Sequence, residues 1–165
     1  MRVFLTGATG FIGKAIVREL LTAGHQVLGL ARSDAAAKSL AAAGAQVHRG
    51  DLEDLDSLQS GVAAPDGVIH TGLLHDFSKF KAVCKTDRHA IEALRSVLAG
   101  SDRPLIVTSG IALVTPGRLA TEKDAGTLTS NDFPRAATEE AACRWRRGES
   151  AYRYALRPDL PSVIA

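Results

Sequence analysis

Gly7, Gly10 and Gly13 stand at intervals of three in "LTGATGFIG", residues 5–13, and no other feature limits the fold of this chain so tightly. Glycine inside a helix costs about 1 kcal/mol against alanine. Three of them at the head of a helical stretch therefore need a reason in the backbone. Before them, "RVFLT" (2–6) is a compact apolar run of strand character. After them, "GKAIVRELLTAG" (13–24) sets Ile16, Val17, Leu20 and Leu21 at helical spacing, with Gly24 placed to cap the C-terminus. Strand, glycine turn and amphipathic helix in that order make a phosphate cradle. Gly7 makes the tight turn, Gly10 leaves the backbone open to a pyrophosphate, and Gly13 lets the helix lie close on the sheet. Phe11 and Ile12 occupy the helix start, where unpaired N–H groups and a partial positive charge would face the phosphates.

The alternation continues along the chain. Strand-like runs are "QVLGLA" (26–31), "AQVHRGDL" (45–52), "GVIHT" (67–71) and "PLIVTSG" (104–110). Between them lie a helix capped by Ser33, a short helix at 55–62 and a long one at 79–99. The long one sets Ile91, Leu94, Val97 and Leu98 on one face. A polar loop fills 118–134 and helix returns at 135–145. Repeated strand and helix predict a parallel sheet covered on both faces. Right-handed crossovers then leave a Rossmann-type, doubly wound sheet as the expected architecture.

Composition narrows the function classes. With 45% hydrophobic residues and 23% charged over 165 residues, the chain reads as one ordinary globular domain. No apolar run approaches the roughly 20 residues needed to span a bilayer, and the N-terminus lacks a secretory pattern. The expectation is a cytoplasmic protein with no membrane partner. Cys84 and Cys143 read as reduced small hydrophobes. His70 and His75, five apart, do not make a metal site.

At this point the chain resembles the short-chain dehydrogenase/reductase superfamily, in its extended, epimerase-like or atypical branch. The glycine form "TGATGFIG" carries the likeness, joined by "GDLED" (50–54), "VIHTG" (68–72) and "VTSG" (107–110). The resemblance implies that Asp51, with Leu52, meets the adenine. It implies that His70 and Thr71 line the nicotinamide ribose, and that Ser109 holds the position of the family's catalytic Ser or Thr. Ser109 is equally read as a hydroxyl satisfying the strand end or touching the nicotinamide side. The implied cofactor is NADP or NAD. An NAD site usually ends its second strand with an acid on the ribose diol. Here "GLARS" offers Arg32, whose guanidinium suits a 2′-phosphate, so NADP is preferred; Asp34, two residues on, argues the other way.

The family's proton-transferring Tyr and its Lys four residues on are absent. "FPRAATEEAA" (133–142) puts Arg135 and Glu139 in those positions, and neither takes over the usual role. Two functions stay open: an oxidoreductase acting on a small carbonyl or hydroxyl substrate, and a cofactor-binding module without turnover.

Residues 1–143 carry 15 Lys and Arg against 16 acids, whereas 144–165 carry five Arg against two acids. This arginine-rich tail is too short and irregular for a nucleic-acid module. Read one base out of phase from Cys143, the degenerate code allows an apolar helix end, a turn and a strand. The expectation is a dinucleotide-binding domain over 1–143, an atypical arginine-rich tail over 144–165 that is either frame-shifted or a genuine extension, and a missing C-terminal substrate part.

Overall fold

Successive strand residues face opposite sides of a sheet, and strand β1 (Arg2–Thr6) buries both: Phe4 and Leu5 are each 0% exposed, on opposite faces. A strand covered on both sides belongs in the middle of a three-layer fold, and that is where β1 lies. The computed structural model describes residues 1–110, 113 and 127–143, together with the backbone of 153–155.

From β1 the chain runs through α1 (Phe11–Thr22), β2 (Gln26–Ala31), α2 (Asp34–Ala42), β3 (Gln46–Arg49), α3 (Leu55–Val62) and β4 (Gly67–His70). It continues through α4 (Phe80–Leu98), β5 (Leu105–Thr108), α5 (Ala136–Cys143) and β6 (Arg153–Ala155). The described strands form one sheet in the order β3-β2-β1-β4-β5-β6, every neighbouring pair parallel. This is the doubly wound arrangement expected from the alternation. Phe4 pairs with Leu28 on one side and Val68 on the other. The strand order reverses between β1 and β4, which opens a crevice at the carboxyl ends of those strands.

Two apolar layers hold the sheet. Leu5, Val17, Val27, Ala31 and Leu40 pack on the side of α1 and α2. Phe4, Leu58, Val62, Val68, Ile91, Leu94 and Leu98 pack on the other, against α3 and α4, with Ala141 and Ala142 of α5 joining them. Arg103 ties two helix ends on that side together. Its guanidinium donates to the carbonyls of Val62 (2.8 Å) and Pro65 (3.2 Å) after α3 and of Val97 (3.0 Å) in α4, placing positive charge where helix C-termini are negative.

The element limits follow local chemistry. Ser33 accepts from the Ala36 N–H at 3.2 Å and Asp54 from the Ser57 N–H at 3.0 Å, so α2 and α3 start at side-chain caps. α1 begins at Phe11, ahead of the expected Gly13, because extended Gly10 is itself the cap residue, with no side chain to offer. Most of the polar loop lies outside the described residues. Of the arginine-rich tail only 153–155 are described, paired with β5 as they stand.

Candidate functional site

Each glycine of the opening motif has a separate physical reason. Gly7 has φ +66, and a Cβ there would stand 2.7 Å from the Gly72 nitrogen. A Cβ on Gly13 would stand 2.0 Å from the Gly7 carbonyl oxygen. Fold geometry alone therefore requires both glycines. Gly10 is different: its N–H donates to the Gly7 carbonyl at 2.9 Å, and a Cβ would meet only that oxygen, at 3.2 Å. Bare backbone at Gly10 thus opens a cradle that a side chain would occupy. Beside it, α1 starts with no side-chain cap and no acid in its first turn, where Phe11, Ile12 and Gly13 lie. An uncapped helix N-terminus over open backbone fits a pyrophosphate.

The next rim of the crevice follows β2 and β3. Arg32, just past β2, is 70% exposed and reaches Asp51 at 3.6 Å. Asp34 does not compete for it, being paired instead with Arg49. Asp51 holds the turn after β3, accepting from the Glu53 N–H at 3.1 Å. Leu52, expected to accompany Asp51 at a ligand, is buried in the core, and its methyl groups fill the space a Cβ on Gly72 would need. Any contact it makes in the crevice is through its backbone.

His70 is relocated in the same way, and the reason is a chain of buried polar groups. The ring is 1% exposed with both nitrogens engaged: Nδ1 lies 2.7 Å from Thr6 Oγ1 and Nε2 lies 3.0 Å from Asp87 Oδ1. Asp87, 2% exposed on α4, receives Arg135 on its other oxygen. Arg135 also donates to the Thr108 carbonyl at 3.1 Å, and the Thr108 hydroxyl donates to the His70 carbonyl at 3.0 Å. The ring of bonds closes on itself. An Nε2–H donating to Asp87 leaves Nδ1 to accept from Thr6, whose oxygen accepts from the Gly72 N–H at 3.1 Å. Thr71, one residue past β4, donates its hydroxyl to the Thr6 carbonyl at 2.8 Å and stays half-buried at the crevice.

Ser109 follows β5 on the same edge of the sheet, half-buried, and its hydroxyl donates to the Glu139 carboxylate of α5. Burial pushes the Glu139 carboxyl above its ordinary value, and the Arg135 guanidinium one turn away pulls it partly back. The space between Ser109, Arg135, Thr138 and Glu139 is about 10 Å³, close to what a single water needs.

The structure thus brings the glycine turn, Arg32, Asp51, Thr71 and Ser109 to the carboxyl ends of successive parallel strands and turns the His70 and Leu52 side chains inward. Sequence reasoning missed Thr6, Thr108 and Asp87 altogether and gave Arg135 and Glu139 no part. One signal for Asp87 was available: it falls within the stripe Val83, Cys84, Ala90, Ile91 and Leu94, where a lone carboxylate must find a buried partner. Among the described residues there is no metal-binding cluster of His, Cys, Asp and Glu, and no helix long and apolar enough to cross a membrane.

Sheet order, crossovers and glycine turn together define an α/β protein of the Rossmann type. The model of the NAD dependent epimerase/dehydratase family matches residues 3–97, and the chain belongs to that family. An uncharacterized protein of Schizosaccharomyces pombe is 55% identical over 123 residues, 74% of this chain and 42% of its own. One of Saccharomyces cerevisiae is 45% identical over 155 residues, 92% of this chain and 51% of its own. The chain therefore spans about half the length of these curated relatives. Gre2 of Candida albicans, solved in complex with NADPH, superposes with a TM-score of 0.77 at 17% identity, over 93% of this chain and 56% of that one.

Proposed function

We propose that this chain binds a nicotinamide dinucleotide, NADPH in preference to NADH, along the carboxyl edge of its sheet, and that it reduces or oxidises a small carbonyl or hydroxyl substrate beside Ser109. The observation that carries this reading is the Gly10 cradle: bare backbone under an uncapped helix N-terminus, on the same sheet edge as Ser109. The exposed guanidinium of Arg32, held only loosely by Asp51, supports the NADPH preference. Asp34, the nearby acid that spoke for a ribose diol, is turned towards Arg49 instead. When bound, the nicotinamide supplies or takes the hydride; Ser109 orients the substrate oxygen by hydrogen bonding.

A second reading is favoured by one specific observation. Arg135, in the position where the family resemblance would put a tyrosine, is bound into the buried ion pair with Asp87 and cannot shuttle a proton. The chain would then bind the cofactor without turnover. Fluorescence titration with NADPH and NADH, followed by NADPH consumption against a panel of aldehydes and ketones, separates the two. Tight binding with turnover supports the oxidoreductase, and tight binding without it supports the binding module. Absence of binding, or binding that survives Gly10→Asp, overturns both.

A further inference from the structure

Resting on that reading, we propose that Glu139 is the proton store of the site and that Ser109 passes its proton to the substrate oxygen. The two side chains are 30 residues apart in sequence and directly hydrogen-bonded in the fold. Arg135 is excluded from the task, because its guanidinium stays charged and both of its terminal nitrogens are already engaged, by Asp87 and by the Thr108 carbonyl. The space lined by Ser109, Arg135, Thr138 and Glu139, about 10 Å³, has room for a single water and not for the carbon skeleton of a substrate. Substrate would therefore meet Ser109 from its outer side and reach the carboxyl group only through the hydroxyl.

The direction of the Ser109–Glu139 bond reports the proton. With Glu139 ionised, Ser109 donates to the carboxylate. With Glu139 protonated, the carboxylic acid donates to Ser109 Oγ and frees the serine proton for an acceptor in the crevice. In carbonyl reduction, a hydride from the reduced nicotinamide forms the new C–H bond. The C=O π pair moves onto oxygen, which takes the Ser109 proton as Ser109 takes the one on Glu139. Solvent then reprotonates the half-buried carboxylate, and oxidation of an alcohol runs the same path backwards.

The charges facing Glu139 set when that proton is present. Among the described residues, Arg135 stands in the turn that leads into α5, with Asp87 of α4 and the His70 ring of β4 lined up behind the guanidinium; β5 contributes the neutral Thr108, with Ser109 beyond it. Asp87 takes up the Arg135 charge, which limits its pull on the Glu139 proton.

The test combines carbon-13 NMR titration of glutamate carboxyls with the pH profile of NADPH-dependent carbonyl reduction, in the parent chain, Glu139→Gln and Ser109→Ala. The signal absent from Glu139→Gln should titrate above the ordinary carboxylate range. The parent's reduction rate should fall tenfold per pH unit above that same midpoint. Glu139→Gln should lose this pH dependence and about 100-fold in rate, in line with one general acid, while NADPH binding is retained. Ser109→Ala should lose comparable rate and keep the Glu139 titration. Turnover with an unchanged rate and profile in Glu139→Gln, or a Glu139 signal at the ordinary value, overturns the relay alone. Tight NADPH binding without parent turnover also overturns it and leaves the binding module. Failure of the parent to bind NADPH overturns the reading beneath it.

Discussion

Arg135 donates into the carboxylate of Asp87, 48 positions earlier in the chain, and the pair fastens α5 to α4 beneath the end of β5. Both side chains are largely out of water, with Asp87 2% exposed and Arg135 13%. Removing one partner leaves the other buried without its counter-charge, a loss of about 3–5 kcal/mol. Arg135→Met and Asp87→Leu should each destabilise by that order in urea unfolding, while the double variant loses less than the sum of the two, His70 Nε2 being left without its Asp87 partner. Strict additivity in that double-mutant cycle would mean that the two groups do not couple.

The three motif glycines should fail in different ways. Gly13→Ala drives a methyl group into the Gly7 carbonyl and should lower the melting temperature sharply. Gly10→Ala asks its one neighbour to give by only a few tenths of an ångström. It should leave the melting temperature nearly unchanged and weaken dinucleotide binding at least tenfold. Thermal unfolding and fluorescence titration of the same two proteins decide this, and equal loss of stability in both would sink the distinction.

Arg32 should separate the two nicotinamide cofactors. A charge-assisted bond to a 2′-phosphate contributes roughly 1.5–3 kcal/mol. Arg32→Ala should therefore cost NADPH affinity about tenfold or more and leave NADH affinity within about twofold. Parallel titrations check this, and equal losses for both cofactors would assign Arg32 elsewhere.

Glu139 also carries a pH signature in folding. Its carboxyl value is raised in the folded chain, chiefly by burial, with Arg135 opposing. The stability it contributes is thus fully present below the ordinary carboxyl range and is lost as pH rises through its raised folded value. Relative to Glu139→Gln, the parent should become less stable across that window and level off above it. Denaturant melts at a series of pH values read this difference directly, and a pH-independent gap would contradict it.

Leu94 supplies a control remote from the crevice. It is 0% exposed in the layer between α4 and the sheet. Leu94→Ala should cost about 2–5 kcal/mol through lost burial and the cavity left behind. Its NADPH affinity, measured on the folded fraction, should be that of the parent.

Much of this fold was legible in the sequence because its signals are short-range. β1 at 2–6, β2 at 26–31 and α3 at 55–62 have the limits their sequence pattern predicts. The glycine spacing placed the turn and helix start within a few residues. Strand–helix alternation, through the fixed hand of its crossovers, left one sheet architecture in favour. None of this depends on which distant residues meet. Tertiary structure alone decided the polar interior. His70 reads as a crevice residue at the end of β4, yet its ring is taken inward by Thr6, 64 positions away, and by Asp87, 17 away. Glu139 reads as an unsuitable replacement for a lysine, yet the packing of α5 beside β5 puts its carboxyl group on Ser109. Such contacts form because the sheet stacks β1, β4 and β5 side by side and lays α4 and α5 across them. Periodicity carries one face of one element at a time, whereas a hydrogen bond between elements exists only once both are placed.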